Sequence, residues 1–279
     1  MCTLLPNLAW NLTTGAHLAG QVALRSALQF GAFFGTLAVS AFALTLLSRM
    51  SSRMHRDFAW PRLPFYFFGA IGVPVHELAH AVFCILFGHR ISRVKWFDPN
   101  ARGGSHGSVE HSYNPRNPAH RIGQFFIGLA PALLGPVLIA VLYYLLAPAA
   151  RMGTSNSLTG TATNFVTRAN WSSGTFWLFI YLATAISSQI ELSREDLAHA
   201  RSGAIATFLA ILAINLVIEA VGWAPMWHER AMAFGVAGAG AWAEIGGLAT
   251  LTSLSGLVLT WIAMSAVHAL MGRSPPRLF

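Results

Sequence analysis

Charged residues are scarce in this sequence. Asp, Glu, Lys and Arg make up 10% of its 279 residues, whereas hydrophobic residues make up 54%. A soluble domain of this length is normally about one-quarter charged. The mean hydropathy is +0.53. The composition therefore excludes a large soluble domain and predicts an integral membrane protein, in which residues 1–279 form a single membrane domain in a lipid bilayer.

Cysteine and lysine are almost absent. The two cysteines, Cys2 and Cys84, cannot form a disulfide framework or a zinc ribbon. The first 24 residues lack a basic start and a clear cleavage site, so no cleaved signal peptide is expected. Seventeen of the 18 basic residues are Arg, a bias that fits a GC-rich bacterial genome and favours a bacterial cytoplasmic membrane. We interpret the net charge of +8 as loops that face anionic lipid headgroups, and expect no nucleic-acid partner.

Six apolar runs approach or exceed the ~20 residues needed to cross a ~30 Å hydrocarbon layer. They cover about residues 27–48, 65–88, 122–147, 171 onward, 197–221 and 247–270. Pro131 and Pro136 are expected to bend the third run, and residues 231–246 are ambiguous between a re-entrant and an interfacial piece. The predicted fold class is an all-α polytopic membrane protein with about six transmembrane helices. An even number of spans places both termini on one side, and the excess of Arg and Lys there favours the cytoplasm.

A polar segment interrupts this helical pattern after the second run. In residues 91–113, ISRVKWF and SHGSVEHSY have the composition of strands, and DPNARGG between them holds the residues that turns need. The segment therefore predicts a β-hairpin, which we expect to pack at the cytoplasmic face of the membrane.

The stretch VPVHELAHAVF (residues 73–83) places two histidines and a glutamate inside the second apolar run. His76 and His80 are four residues apart, so on a helix they share one face and can bind one ion. Zn²⁺ would lower the pKa of a bound water toward ~7, and Glu77, as general base, would take its proton before attack on a peptide carbonyl. The alternative is two buried histidines satisfied by neighbouring helices. Ionisable groups inside an apolar span are costly, however, and mark function by default.

A catalytic zinc usually has three protein ligands and one open position, so one ligand must come from elsewhere. Asp196 is the main candidate. The fourth apolar run turns polar at Ser187, so we expect the chain to turn back early and bring Asp196, at the head of the fifth helix, near the depth of His80. Asp196 and Ser193 also fit a helix cap, and both roles can hold together. Competing ligands are Cys84, Glu191 and Glu195.

These features together resemble one protein family. HELAH inside a span, a following β-hairpin and a later aspartate at a helix start are similar to the site-2 protease family of intramembrane zinc metalloproteases, over about residues 64–203. The resemblance implies that His76, His80 and Asp196 bind one zinc per chain and that Glu77 is the catalytic base. The family aspartate commonly lies in an Asn-Pro-rich, Asp-Gly type motif, whereas ELSREDLAHA has neither Pro nor Gly beside Asp196. The chain thus resembles a divergent branch.

The second strand of the hairpin is a candidate substrate site. A substrate helix must unwind before it is cut, and a strand such as 107–113, including Gly107, Ser108 and Val109, offers an edge for an extended segment. The alternative is a purely structural flap. Asn114 is a candidate for orienting substrate carbonyls. A second metal cluster formed by His106, Glu110, His111 and His120 is a weaker hypothesis, because their spacing follows no regular template.

Three functions follow from these residues. The leading prediction is a zinc endopeptidase that cuts a transmembrane segment of another membrane protein. The second is a zinc protease of juxtamembrane loops. The third is a metal-binding membrane chaperone or transporter-like protein without proteolytic activity.

Overall fold

The computed structural model describes residues 4–100, 106–151 and 158–278. Within these ranges the chain is mostly helical, with one two-stranded antiparallel sheet, as predicted. Cys2 and residues 101–105 of the predicted turn lie outside the described residues. The elements in chain order are α1 (Leu4–Asp57), α2 (Arg62–Leu86), β1 (Arg90–Lys95), β2 (Ser108–Ser112), α3 (Pro118–Gly128), α4 (Ala130–Leu146), α5 (Pro148–Arg151), α6 (Leu158–Phe165), α7 (Arg168–Trp171), α8 (Gly174–Ser187), α9 (Arg194–Ala220) and α10 (Ala224–Leu270).

All six predicted apolar runs are helical. Four helices of the described chain, α1, α2, α9 and α10, are long and apolar enough to cross a membrane, and α3 with α4 forms a fifth such unit. Helix α8 is apolar but has only 14 residues. Residues 231–246 lie inside the continuous α10. The long apolar helices fit a membrane protein, but six spans are not confirmed.

The predicted bend of the third run lies between α3 and α4. The two helices meet at 57°, and Leu129 is the capping residue of both. Pro131 lies in the first turn of α4, where its missing N–H removes no helical hydrogen bond. Pro136 lies inside α4, which continues past it. The break is therefore at the Pro131 end of the run.

The chain does not turn back after α8, which corrects the expectation for Ser187. The Thr175 hydroxyl at the start of α8 donates to the Leu146 carbonyl at the end of α4 (2.7 Å). Further along, the backbone of Gly128 at the end of α3 lies against Asp196 near the start of α9. Helices α8 and α9 therefore run in one direction, antiparallel to α4 and α3. Together they run once along the bundle, where the sequence had indicated two separate spans.

This direction changes where the chain ends lie. At one end of the bundle Arg25 of α1 pairs with Glu219 near the end of α9 (3.3 Å). At the other end the backbone N–H of Ala59 donates to His268 near the end of α10 (3.0 Å). The start of α1 and the end of α10 therefore lie at opposite ends of the bundle. The prediction that both termini share one side of a membrane counted α8 and α9 as two spans, and it does not follow from this arrangement.

The predicted hairpin is present, but it lies along the side of α2 and not at one end of it. The strands pair with Arg90 opposite Ser112 and Val94 opposite Val109. Beyond β1, the Phe97 ring lies 5.5 Å from the Phe65 ring near the start of α2. Since β1 begins just after the end of α2, the hairpin runs back along most of the helix. Aromatic packing at its far end accounts for this placement.

Small residues allow the helices around α2 to approach closely. A Cβ at Gly203 of α9 would overlap the backbone of Phe125 in α3, and one at Gly128 would overlap the backbone of Asp196. Glycines in membrane helices permit such backbone contacts. The α3–α9 contact therefore holds the start of α9 beside the end of α3, where the candidate ligands meet.

We expect Gly203→Ala to destabilise the fold. The added methyl group must push α3 away from α9, and overpacking of this kind typically costs about 1–3 kcal/mol. Gly238→Ala in α10 is the matched control, because a Cβ there meets nothing within 4 Å. Thermal unfolding of both purified variants measures the difference. Equal melting temperatures for the two variants would contradict the described helix contact.

Candidate metal centre

Helix α2 brings His76 and His80 together as the four-residue spacing predicted. Their Nε2 atoms lie 3.2 Å apart. His80 is 8% exposed and lies in the interior of the bundle. The two rings therefore direct one nitrogen each toward a common point.

Backbone carbonyls determine which nitrogen of each ring carries the proton. His76 Nδ1–H donates to the Gln189 carbonyl (2.6 Å), and His80 Nδ1–H donates to the Ile127 carbonyl (2.9 Å). A carbonyl oxygen can only accept, so in the neutral rings both Nε2 atoms carry lone pairs. Two lone pairs that face each other at 3.2 Å repel unless a cation lies between them. The arrangement matches the outer hydrogen bonding of metal-bound histidines.

Both carbonyls are available because the helices are broken at these points. Ile127 lies in the last turn of α3, and Gln189 lies in the six-residue connection between α8 and α9. Carbonyls at helix ends have no partner within the helix. The two breaks therefore supply the acceptors that orient the histidine rings.

Asp196 completes a group of three, and it also caps α9. Its Oδ2 accepts the Ser193 backbone N–H (2.8 Å), while the Ser193 hydroxyl accepts the Asp196 N–H (3.1 Å). The other carboxylate oxygen, Oδ1, lies 3.3 Å from His80 Nε2. One ligand atom each from His76, His80 and Asp196 lies within 4.8 Å of the others. Both interpretations of Asp196, cap and ligand, are compatible in this geometry.

The donor set fits zinc. Two imidazole nitrogens and one carboxylate oxygen are a common three-ligand set for a catalytic zinc ion, which keeps its fourth position open. The three residues can therefore hold a metal ion, and the preset tautomers make them ready to do so.

Glu77 lies beside this group and against the hairpin. Its side chain is buried (4% exposed). A Cβ at Gly107 would lie 2.6 Å from Glu77 Oε1 and 2.8 Å from a Val73 methyl group. The backbone just before β2 therefore contacts the Glu77 carboxylate, an approach that requires glycine at position 107.

A cleft of about 380 Å³ opens over the group. It brings together seven of the eight predicted site residues, which are His76, Glu77, His80, Asp196, Gly107, Ser108 and Val109. The sequence interpretation missed His111 and His199 as lining residues. His111 has the two-residue strand spacing of Gly107 and Val109, and His199 follows Asp196 by three residues on α9, so both periodicities could have indicated them.

Asn114 is not among the residues that line the cleft, and its role in orienting substrate carbonyls stays a prediction. Its backbone N–H donates to His120 Nδ1 (3.1 Å), and its side-chain oxygen accepts the Arg116 N–H (2.9 Å). The residue is exposed. These local bonds form the turn that leads into α3.

None of the competing ligands belongs to the group of His76, His80 and Asp196. Glu191 pairs with Arg49 (3.1 Å). Glu195 lines the cleft without joining the candidate ligands. Cys84 groups with His89 and His111.

The predicted second cluster does not form as proposed. The His106 ring packs 4.2 Å from Phe65, near the start of α2, whereas His111 and His120 lie near its end.

No protein-family model, curated protein or solved structure matches this chain. The similarity of its HELAH segment, hairpin and Asp196 to the site-2 proteases therefore remains a prediction.

Proposed function

We propose that this protein is an intramembrane zinc endopeptidase, which hydrolyses a peptide bond in or near a transmembrane segment of another membrane protein. The observation that carries the proposal is the convergence of His76 Nε2, His80 Nε2 and Asp196 Oδ1 beside the buried Glu77. His76, Glu77 and His80 all lie in α2, which is long and apolar enough to cross a membrane. His76 lies ~21 Å of helix from Arg62, and His80 lies ~9 Å from Leu86, so the site is away from both helix ends.

The chemistry divides between the ion and the side chains. One zinc per chain, held by the two histidines and Asp196, would supply a Lewis acid for water activation and carbonyl polarisation. Glu77 accepts a proton from the attacking water and passes it to the leaving amine. The Gln189 and Ile127 carbonyls keep the imidazole rings in the tautomer that binds metal. The burial of Glu77 under Gly107 holds its carboxylate at the reacting centre.

The hairpin provides a place for the substrate. Ser108 and Val109 line the cleft, and β2 pairs with β1 along one edge. Among the described residues, no further strand pairs with the other edge of β2. An unwound substrate segment added there would run past Glu77 with its amides exposed. The substrate in this proposal is therefore an apolar segment that becomes extended when it binds.

The proposal places the protein in a bacterial cytoplasmic membrane as a multi-pass protein. In this proposal the chain crosses the membrane five times, through α1, α2, the α3–α4 pair, the α8–α9 pair and α10. Phe126 contacts both Phe34 of α1 and Phe87 just after α2, with ring centroids 6.1 and 5.1 Å apart. The first part of α1 and the end of α2 therefore share one end of the bundle, which faces the cytoplasm in this proposal.

The metal ligands are tested by zinc content. We expect His76→Ala and Asp196→Asn to bind one zinc fewer per chain than wild type, with affinity at that site reduced more than ~100-fold, because loss of outer-shell partners alone costs 10–100-fold. Asp196→Asn keeps an oxygen that can accept the Ser193 N–H, so the helix cap is preserved. Glu191→Gln, on a carboxylate paired with Arg49, is the control and should keep all zinc. Zinc retained in Asp196→Asn at unchanged affinity would exclude Asp196 as a ligand.

The catalytic role of Glu77 is tested by a change that leaves the metal in place. We expect Glu77→Gln to keep its zinc and to lose cleavage by ~10²–10⁴-fold, the range that general acid–base catalysis contributes. The assay follows an epitope-tagged single-span membrane protein in co-expressing cells and maps the cut by mass spectrometry. Glu195→Gln is the matched control, because this carboxylate lines the same cleft outside the ligand group.

Three outcomes separate the candidate functions. A cut inside the substrate span supports the proposal, and a cut outside it supports the juxtamembrane protease. Equal biological complementation by wild type and Glu77→Gln, without cleavage, would exclude both proteases and favour the non-proteolytic protein.

A further inference from the structure

A second group of metal-binding side chains lies at the end of α2, about one helical turn beyond His80. It consists of Cys84, His89 and His111, and one ligand atom from each lies within 4.8 Å of the others. Cys84 is 0% exposed and His89 is 5% exposed. His89 Nδ1 and His111 Nδ1 are 3.2 Å apart. None of these three residues belongs to the ligand group of His76, His80 and Asp196.

The end of α2 folds His89 back over Cys84. Gly88 has a positive φ of 70°, which glycine adopts without strain. The His89 N–H then donates to the Cys84 carbonyl (2.8 Å), and the Gly88 N–H donates to the Ile85 carbonyl (3.1 Å). These two bonds form a Schellman motif. The helix terminus therefore brings a thiol and an imidazole together by local geometry.

The hairpin places His111, the third residue of the group, beside the end of α2. His111 of β2 pairs opposite Ile91 of β1, two residues after His89. The register of the strands thus places the His111 ring near the end of α2. Because His111 also lines the cleft, the group borders the candidate catalytic site.

Hydrogen bonding directs a lone pair of His89 into this group. His89 Nε2–H donates to the His120 carbonyl (3.0 Å), so in the neutral ring Nδ1 holds a lone pair that faces His111. Burial lowers the pKa of His111 to about 4, with further lowering by His89 and His199. Burial also lowers the pKa of His89. Imidazole binds a metal ion in its neutral form, which a lowered pKa favours.

We propose that Cys84, His89 and His111 bind a second divalent transition-metal ion of the zinc class. One thiolate and two imidazoles are a soft and borderline donor set that suits Zn²⁺ and copper, and is poorly suited to Mg²⁺ or Ca²⁺. On binding, the Cys84 thiol loses its proton to the solvent and becomes the thiolate ligand. The ion links the end of α2 to β2 at the wall of the cleft. This site does not depend on proteolytic activity.

Cobalt substitution tests the site directly, because a thiolate bound to Co²⁺ gives a near-ultraviolet charge-transfer band and a centre of nitrogen and oxygen ligands does not. The experiment uses full-length Cys2→Ser protein, in which Cys84 is the remaining thiol. We expect two Co²⁺ per chain and the charge-transfer band. Cys84→Ser should lose the band and one equivalent, whereas His76→Ala should lose one equivalent and keep the band.

Two further variants distinguish the loss of a metal ligand from misfolding of the protein. His111→Gln should also lose the band and one equivalent, with an unchanged elution profile in detergent. His106→Gln is the matched control, since this hairpin histidine packs against Phe65 near the start of α2, and it should keep both. A Cys2→Ser protein without the band would overturn the proposal, and the His89–His111 contact would then be a simple hydrogen bond. A band that persists in His111→Gln would exclude His111 as a ligand.

Discussion

Two hydrogen bonds from histidine rings to backbone carbonyls underlie the arrangement of the site. They join His76 to Gln189 and His80 to Ile127, and each carbonyl lies at a break in a helix. In an apolar environment an unpaired carbonyl costs several kcal/mol, so irregular backbone is tolerated only where a partner is present. The histidine N–H groups pair with the carbonyls at the helix breaks, and those carbonyls orient the histidine rings. Each feature supports the other, which makes the broken helices part of the site.

The Asp196 carboxylate likewise makes two different contacts. One carboxylate oxygen closes the capping box with Ser193, and the other faces His80. The start of α9 can occupy this position only because Gly128 and Gly203 let α3 and α9 come into backbone contact. A helix terminus inside the bundle is thus stabilised by its own cap, by close packing and, in the proposed function, by a bound cation.

Local patterns predicted the parts of the structure that depend on neighbouring residues. The apolar helices, the shared face of the two histidines, the two strands and the Ser193–Asp196 cap all appear at the expected residues. The direction of α9 and the placement of the hairpin depend on contacts between distant residues, such as Gly128 with Asp196 and Phe65 with Phe97. No pattern in ELSREDLAHA or ISRVKWF encodes these contacts.

The central claim is that α2 and α9 together hold one zinc ion through two imidazoles and one carboxylate. X-ray absorption at the zinc edge of Cys84→Ser protein loaded with one equivalent of zinc tests it most directly. We expect a first shell of nitrogen and oxygen at ~2.0–2.2 Å, with outer-shell scattering from two imidazole rings and no sulfur at ~2.3 Å. A first shell without imidazole scattering, or a protein that binds no zinc, would exclude this site.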